Sequence, residues 1–375
     1  MKKTIKTIHI YTGHTFIRNS NRFEGDLFEN TIIIFSEKRT ESKPGKKIIQ
    51  LDGSKNDIEE VIDICQKAEL VVLYDLDQVK IKIALSLPEH IKIAWRFFGH
   101  ELYNRQRLKY LSKTTQRTLG AKLFFLKIWE KKNIIPFKKA LTRINFFLGL
   151  SEAEYILLVN NWGRLPKYIQ LSFSSIDLNA SSINFKPKIG ESFPLILVGN
   201  SKAMYNNHID IIRLIDQEPN CQQFNFTLLF NYGLEKYYTK KIRNLTRGKN
   251  YFHLIEEFMS LDEFNKLYER ASAVVINSYR QMAMGNIFTA FKKGVKVYLN
   301  EKNLMMHWLK EEGFKVFSII DFQHDLQVNN LSLNEDSALH NFLQLKKLSE
   351  KYPIEKFQKT LYAECVSLKT KRTTN

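Results

Sequence analysis

The stretch PLILVGNSKAMYNNHIDIIRLI, Pro194 to Ile215, decides how the chain is built. An apolar run of β-formers ends at Val198, Gly199-Asn200-Ser201 makes a turn of small polar residues, and a helical stretch follows. A strand, a small turn and a helix in that order aim backbone N–H groups and the positive end of a helix dipole at whatever sits above the strand ends. The spacing matches neither GxGxxG nor GxxxxGK[ST], so neither a dinucleotide fingerprint nor a P-loop is implied. Taken alone, the turn can be a plain connection or the floor of a phosphate site.

Working outward, the same pattern recurs along the chain. The runs TIHIY, NTIIIF, KIIQL, LVVLY, IKIAW and YILLV read as strands in the first half, and LILVG, FTLLF, NYFHLI, AVVIN and VKVYL in the second. Fully apolar runs alternating with helix-length segments argue for parallel sheets buried on both faces. At 375 residues the chain exceeds what one core serves, which favours two domains. The Ser-, Asn-, Gly- and Pro-rich stretch from Phe173 to Pro194 reads as the linker between them. The expected organisation is an N-terminal Rossmann-like domain over 1–175, a second over 190–350, and a C-terminal helix with a basic tail over 351–375. Two such domains in series would place a central cleft between the carboxyl ends of two sheets, where open α/β folds bind ligands. Periplasmic binding proteins and some kinases share that layout.

The charge balance is strongly basic: 57 Lys plus Arg against 39 Asp plus Glu give +18. Such a field favours polyanionic partners: nucleic acid, anionic lipid or phosphorylated substrates. Twelve of the cations fall between Arg105 and Arg143, against the single acid Glu130, and Phe124, Phe125, Trp129 and Phe137 are interleaved with them. A basic segment carrying aromatic and aliphatic residues suits an anionic membrane surface, a solvated helix face being the alternative. No helix-turn-helix, zinc-finger or RNA-binding signature accompanies the charge, so nucleic acid is not expected. Cys65, Cys221 and Cys365 are odd in number and far apart, which fits neither a disulfide framework nor a zinc site. The start, Met1-Lys2-Lys3 followed by TIKTIHIYTGHTF, is too polar for a signal peptide, and no run of 18 apolar residues exists to span a membrane.

A second strand–loop–helix unit, INSYRQMAMGNIFTAFKKGVKVYLN from Ile276 to Asn300, supports a phosphate site. Arg280 and Gln281 supply side-chain donors, and Gly285 and Asn286 lie at an expected helix start; one arginine and one helix start are enough to hold a diphosphate. Three blocks taken together, WRFFGHELYN (Trp95 to Asn104), LVGNSKAMYNNHI (Leu197 to Ile209) and RQMAMGNIFTAFKKGVKVYLN (Arg280 to Asn300), resemble the 4-alpha-L-fucosyltransferase family, glycosyltransferase family 56. The resemblance runs from about residue 90 to 320. It implies a GT-B fold and transfer of a deoxyamino sugar, 4-acetamido-4,6-dideoxy-galactose, from a dTDP-sugar to a polyprenyl-diphosphate-linked glycan of a bacterial surface polysaccharide. The enzyme would then sit peripherally on the cytoplasmic face of the inner membrane. Gly199, Asn200, Ser201, Arg280, Gln281, Gly285 and Asn286 would line the donor diphosphate by position, and Tyr232 and Gly233, which follow FTLLF, the same cleft. A UDP- or GDP-sugar donor stays open, as does a non-catalytic polyanion-binding protein.

For proton transfer, Glu101 stands where the family motif carries an aspartate, in a turn after IKIAW. His100 and His14 are rival bases or diphosphate contacts, and Glu101 can equally be a first-turn acid favoured by the helix dipole. Asp75 and Asp77 in YDLDQV look like a metal pair, yet two carboxylates are a poor metal site and Asp77 reads as an N-cap. No metal and no cofactor is expected.

Overall fold

The computed structural model describes residues 3–13, 17–36, 47–52, 54–124, 128, 134–173, 194–233 and 236–370. His14 and residues 174–193, the body of the expected linker, lie outside the described residues, as do 125–127 and 129–133 of the basic segment.

Runs apolar at every position have no face to leave in water, and they become strands covered on both sides. In chain order β1 (Ile5–Thr12), β2 (Phe28–Phe35), β3 (Lys47–Leu51), β4 (Leu70–Tyr74), β5 (Lys92–Arg96), β6 (Phe146–Gly149) and β7 (Lys167–Gln170) form one sheet, ordered β3-β2-β1-β4-β5-β6-β7. Then β8 (Leu195–Val198), β9 (Asn225–Leu229), β10 (Phe252–Ile255), β11 (Ala271–Ile276), β12 (Lys296–Leu299) and β13 (Phe317–Ser318) form the other, ordered β10-β9-β8-β11-β12-β13. Every strand pair is parallel. In both sheets the chain winds one way from the first strand and then the other way from the fourth, so the order reverses between β1 and β4 and between β8 and β11. At such a reversal the connections leave on opposite sides and open a crevice above the strand ends.

Two compact units result: Met1–Arg105 with Ile128–Ser175 and Ser349–Asn375, and Gln106–Lys127 with Ile176–Leu348. The basic segment is thereby divided, its first part joining the second unit. The first core gathers Ile34, Val72, Ala94 and Phe146 from the sheet and Phe357, Leu361 and Cys365 from the helix Ile354–Thr370. That helix is fastened by Gln358 Nε2, which donates to the carbonyls of Arg22 at 3.0 Å and Glu24 at 2.7 Å. The three cysteines are buried and free.

One expected strand is wrong. YILLV belongs to the helix Glu152–Trp162, because Ser151 caps it and Glu152 and Glu154 fill its first turn. A five-residue apolar run cannot by itself tell a buried helix from a strand, and here the cap decides. The neighbouring strands are β6 and β7. Among the described residues no helix is long and apolar enough to cross a membrane.

Candidate functional site

The second unit concentrates buried polar side chains at the carboxyl ends of β8, β11 and β12. Asn200, Ser201, Asn206, Asn207 and His208 follow β8, Asn277, Ser278 and Arg280 follow β11, and Asn300 follows β12; all are buried. Polar groups in such a place are costly unless bonded, so the bonding pattern separates framework from available groups.

The framework is an asparagine ladder. Asn207 adopts a left-handed backbone (φ 46°) before the helix His208–Asp216, a conformation Asn tolerates better than most residues. Its Oδ1 accepts from the Ser112 N–H at 2.8 Å, and its Nδ2 donates to the Asn277 carbonyl at 3.1 Å. Asn277 Nδ2 returns a bond to the Asn207 carbonyl at 3.3 Å, and Asn300 Nδ2 donates to Asn277 Oδ1 at 2.7 Å. The ladder thus fixes the loops after three adjacent strands in one register. Ser112, which caps the helix Lys113–Leu119, also donates through Oγ to Asp210 Oδ2 at 2.5 Å, binding part of the basic segment to this unit.

Around the ladder stand groups with no such partner. Asn200 Oδ1, Asn206 Oδ1, Gln281 Oε1 and both ring nitrogens of His208 are buried without a hydrogen-bond partner among the described residues. Burial pushes the His208 imidazolium down to about 3, so near neutrality the ring is uncharged, with one N–H and one acceptor nitrogen. Asn200 Nδ2 donates to the Tyr232 hydroxyl, which joins the β9 loop to the β8 loop, and the Lys202 N–H donates to the Tyr232 carbonyl at 2.9 Å. Gly199 has φ 71°, and a Cβ on it would run into His208 Nε2, so the turn requires glycine for conformation and for space. The neighbouring Gly233 (φ 107°) closes on Lys202, its missing Cβ lying 3.2 Å from the Lys202 Cβ.

After β11, Ser278 Oγ accepts from the Arg280 N–H at 3.3 Å and donates to the Arg280 carbonyl at 3.0 Å. The Arg280 guanidinium stacks 4.6 Å from the Tyr205 ring centroid and donates to the Gln281 carbonyl at 3.2 Å. The helix starts at Met284, after Ala283 in a left-handed conformation (φ 61°). Gly285 lies in its first turn and has nothing within 4 Å of where a Cβ would be. Asn286 points elsewhere: its Nδ2 donates to the Tyr268 hydroxyl at 3.0 Å, tying two helices. This loop set therefore offers two helix starts, one guanidinium, hydroxyl groups and several open acceptors. Sequence reading found Gly199, Asn200, Ser201, Arg280 and Gln281 but missed Asn206, Asn207, His208 and Asn277. The dense run Asn206-Asn207-His208 at a helix start was the available signal.

In the first unit the carboxyl ends of β1, β4 and β5 carry a different chemistry. Glu101 is fully engaged: its side chain is buried, Oε1 accepts from Trp95 Nε1 at 3.2 Å and from the Phe98 N–H at 3.1 Å, and Oε2 lies 3.6 Å from His100 Nδ1. His100, its side chain 48% exposed, is the accessible member of that pair. Asp75 and Asp77 are held by Lys80, whose buried ammonium donates to Asp75 Oδ1 at 2.6 Å, Asp77 Oδ2 at 2.8 Å and Thr12 Oγ1 at 2.8 Å. A resident cation therefore occupies the position between the carboxylates. Asp77 is also the N-cap of the helix Gln78–Ser86, accepting from the Lys80 N–H at 3.0 Å. Asp75 takes a left-handed backbone (φ 67°), and burial, opposed by Lys80 and reinforced by Asp77 and Glu101, pushes its carboxyl from 3.8 up to about 6. Among the described residues no group of three or more His, Cys, Asp or Glu is placed to hold a metal ion.

Two measurements check this division of labour. Glu101→Ala strips the acceptor from two buried donors and should cost about 2–3 kcal/mol of stability in urea unfolding, with Glu101→Gln recovering part of it. Loss of activity at unchanged stability would instead make Glu101 purely catalytic. For Asp75, a raised carboxyl favours folding while protonated, so its contribution is present below about pH 4 and lost as pH rises through about 6. The stability of the native chain relative to Asp75→Asn should therefore fall between pH 4 and 6.5, by at most about 3 kcal/mol. A pH-independent difference would show that Lys80 holds Asp75 ionised throughout.

No family model and no curated protein matches the chain. Solved structures do. A sucrose-phosphate synthase from Thermosynechococcus elongatus superposes with TM-score 0.66 at 11% identity, covering 98% of this chain and 99% of that one. Anabaena Alr3699/HepE, solved in complex with UDP and glucose, gives 0.64 at 12% identity over 97% and 99%. A UDP-forming alpha,alpha-trehalose-phosphate synthase from Burkholderia vietnamiensis gives 0.64 at 6% identity over 96% and 100%. Identities this low establish architecture, and the architecture is that of the GT-B fold: two Rossmann-like parallel sheets in one chain.

Proposed function

We propose that this chain is a glycosyltransferase whose second unit holds a nucleoside-diphosphate sugar. The observation that carries the reading is the buried polar array at the β8/β11 reversal, with acceptors left open on Asn200, Asn206 and Gln281 beside two helix starts and Arg280. Open acceptors suit sugar hydroxyls or a base N–H, while helix starts and a guanidinium suit a diphosphate. A structural neighbour solved with UDP-glucose supports the same donor class. Within that class we favour a dTDP-linked deoxyamino sugar and a lipid-diphosphate-linked acceptor, on the resemblance of three sequence blocks to the 4-alpha-L-fucosyltransferase family. The basic stretch within Arg105–Arg143 would then lie against the anionic inner face of the membrane.

The chemistry follows from charge. As the glycosidic bond breaks, negative charge grows on the departing diphosphate, and donors aimed at it lower the barrier without a metal. If the reaction inverts, His100 takes the acceptor hydroxyl proton, with the Glu101 carboxylate behind Nδ1 favouring the imidazolium that forms.

Thermal melting with dTDP, UDP and GDP, each with and without magnesium, tests the reading. The expected result is a magnesium-independent rise, largest for dTDP, that Arg280→Ala abolishes and Arg280→Lys retains in part. His100→Ala should keep the rise and lose about 10²–10⁴ in turnover. No shift with any nucleotide, or an equal shift in Arg280→Ala, would contradict the assignment.

A further inference from the structure

A second basic feature lies on the same unit, beginning beside the β8 and β9 loops at Lys202 and Gly233. The helix Lys236–Thr246 begins just after the β9 loop, and one of its faces, Lys236, Lys240 and Arg243, continues into Arg247 at spacings of three and four residues. With Lys202, these residues line a groove of about 540 Å³. Arg243 is paired with Glu256 at 2.6 Å. Lys202, Lys236, Lys240 and Arg247 have no ion-pair partner among the described residues.

Like charges spaced four apart on a helix repel, and the first turn carries no acid to satisfy the helix dipole. Glu256 neutralises Arg243, and the mutual repulsion of Lys236, Lys240 and Arg247 is relieved by no ion pair among the described residues. A stripe of this kind spans roughly 16 Å along the helix, longer than one phosphate. Its basic character extends sideways, because Lys122 of the divided basic segment lies 3.9 Å from the ring centroid of Tyr237. Close by in sequence, Phe124 is 64% exposed. Lys122 and the cations of this helix thus lie side by side on one unit.

We propose that this groove, which takes Lys202 from the β8 loop and Gly233 from the β9 loop, binds phosphate groups without Arg280. The ligand class is a diphosphate or phosphodiester, supplied either by an anionic bilayer or by a free phosphorylated molecule. The proposal does not depend on the glycosyltransferase reading, and it adds a groove on the helix Lys236–Thr246 to the anion contact expected of 105–143.

The test uses the full chain with two probes: inorganic pyrophosphate in calorimetry, and vesicles of phosphatidylglycerol and phosphatidylcholine against phosphatidylcholine alone in sedimentation. The charge-reversed pair Lys240→Glu/Arg247→Glu should weaken binding at least tenfold and steepen no other property. The control pair Lys310→Glu/Lys359→Glu, exposed and equal in charge change, should leave it intact. Lys240→Gln alone serves if the reversed pair melts early. Pyrophosphate binding that survives in Arg280→Ala but is lost in the reversed pair assigns a free phosphate ligand to the groove. Binding to the anionic vesicles alone, lost in the same pair, assigns the bilayer. No binding of either probe, equal losses in both pairs, or pyrophosphate binding lost in Arg280→Ala and kept in the reversed pair would overturn the proposal.

Discussion

The second unit depends on the reciprocal hydrogen bonds between Asn207 and Asn277. A parallel sheet fixes its strands but leaves the loops beyond them free to wander, and a site built from several loops needs them held together. Asn207 does this from a left-handed turn, with its amide bonded on both sides and buried. Asn300 and Ser112 extend the same network to a third strand and to a helix distant in sequence. The satisfied polar groups hold the loops, and the unsatisfied ones beside them, Asn200, Asn206, His208 and Gln281, are what the arrangement holds in place. An orphaned buried acceptor costs about 1–3 kcal/mol, so several in one place point to a ligand that completes them.

The first unit resolves the same topology differently. Its strand order reverses at the same point, but two sets of polar side chains there compensate one another, Lys80 with two carboxylates and Thr12, and Glu101 with Trp95, Phe98 and His100, while the buried Arg96 at the end of β5 keeps its Nε without a hydrogen-bond partner among the described residues. Buried charges are tolerable when paired and bonded in this way. The His100 imidazole remains accessible beside them. The two units thus repeat one fold while presenting unlike chemistries.

Much of this was legible in the sequence. Apolar runs such as LVVLY and LILV must be covered on both faces, and the turn Gly199-Asn200-Ser201 at the end of one of them could be placed at a strand's carboxyl end. YILLV misled because its helical character resides in the cap before it. Asn207 and His208 were inside a quoted motif but not singled out, since a left-handed asparagine and a buried neutral histidine are defined by tertiary surroundings. The engagement of Glu101 was invisible for the same reason: its partners Trp95 and Phe98 are near in sequence, but only the turn geometry brings both donors onto one carboxylate. The membership of 106–127 in the second unit rests on bonds from Ser112 to Asn207 and Asp210, nearly a hundred residues away.

The central claim is that the loops after β8 and β11 form the nucleotide-sugar site. Hydrogen exchange of the full chain, followed by mass spectrometry with and without saturating dTDP, UDP or GDP, tests it most directly. The account predicts that a binding nucleotide slows exchange at the amides of 199–208 and 278–287. Slowing confined to the ends of β1 and β4, or to the helix Lys236–Thr246, would contradict it.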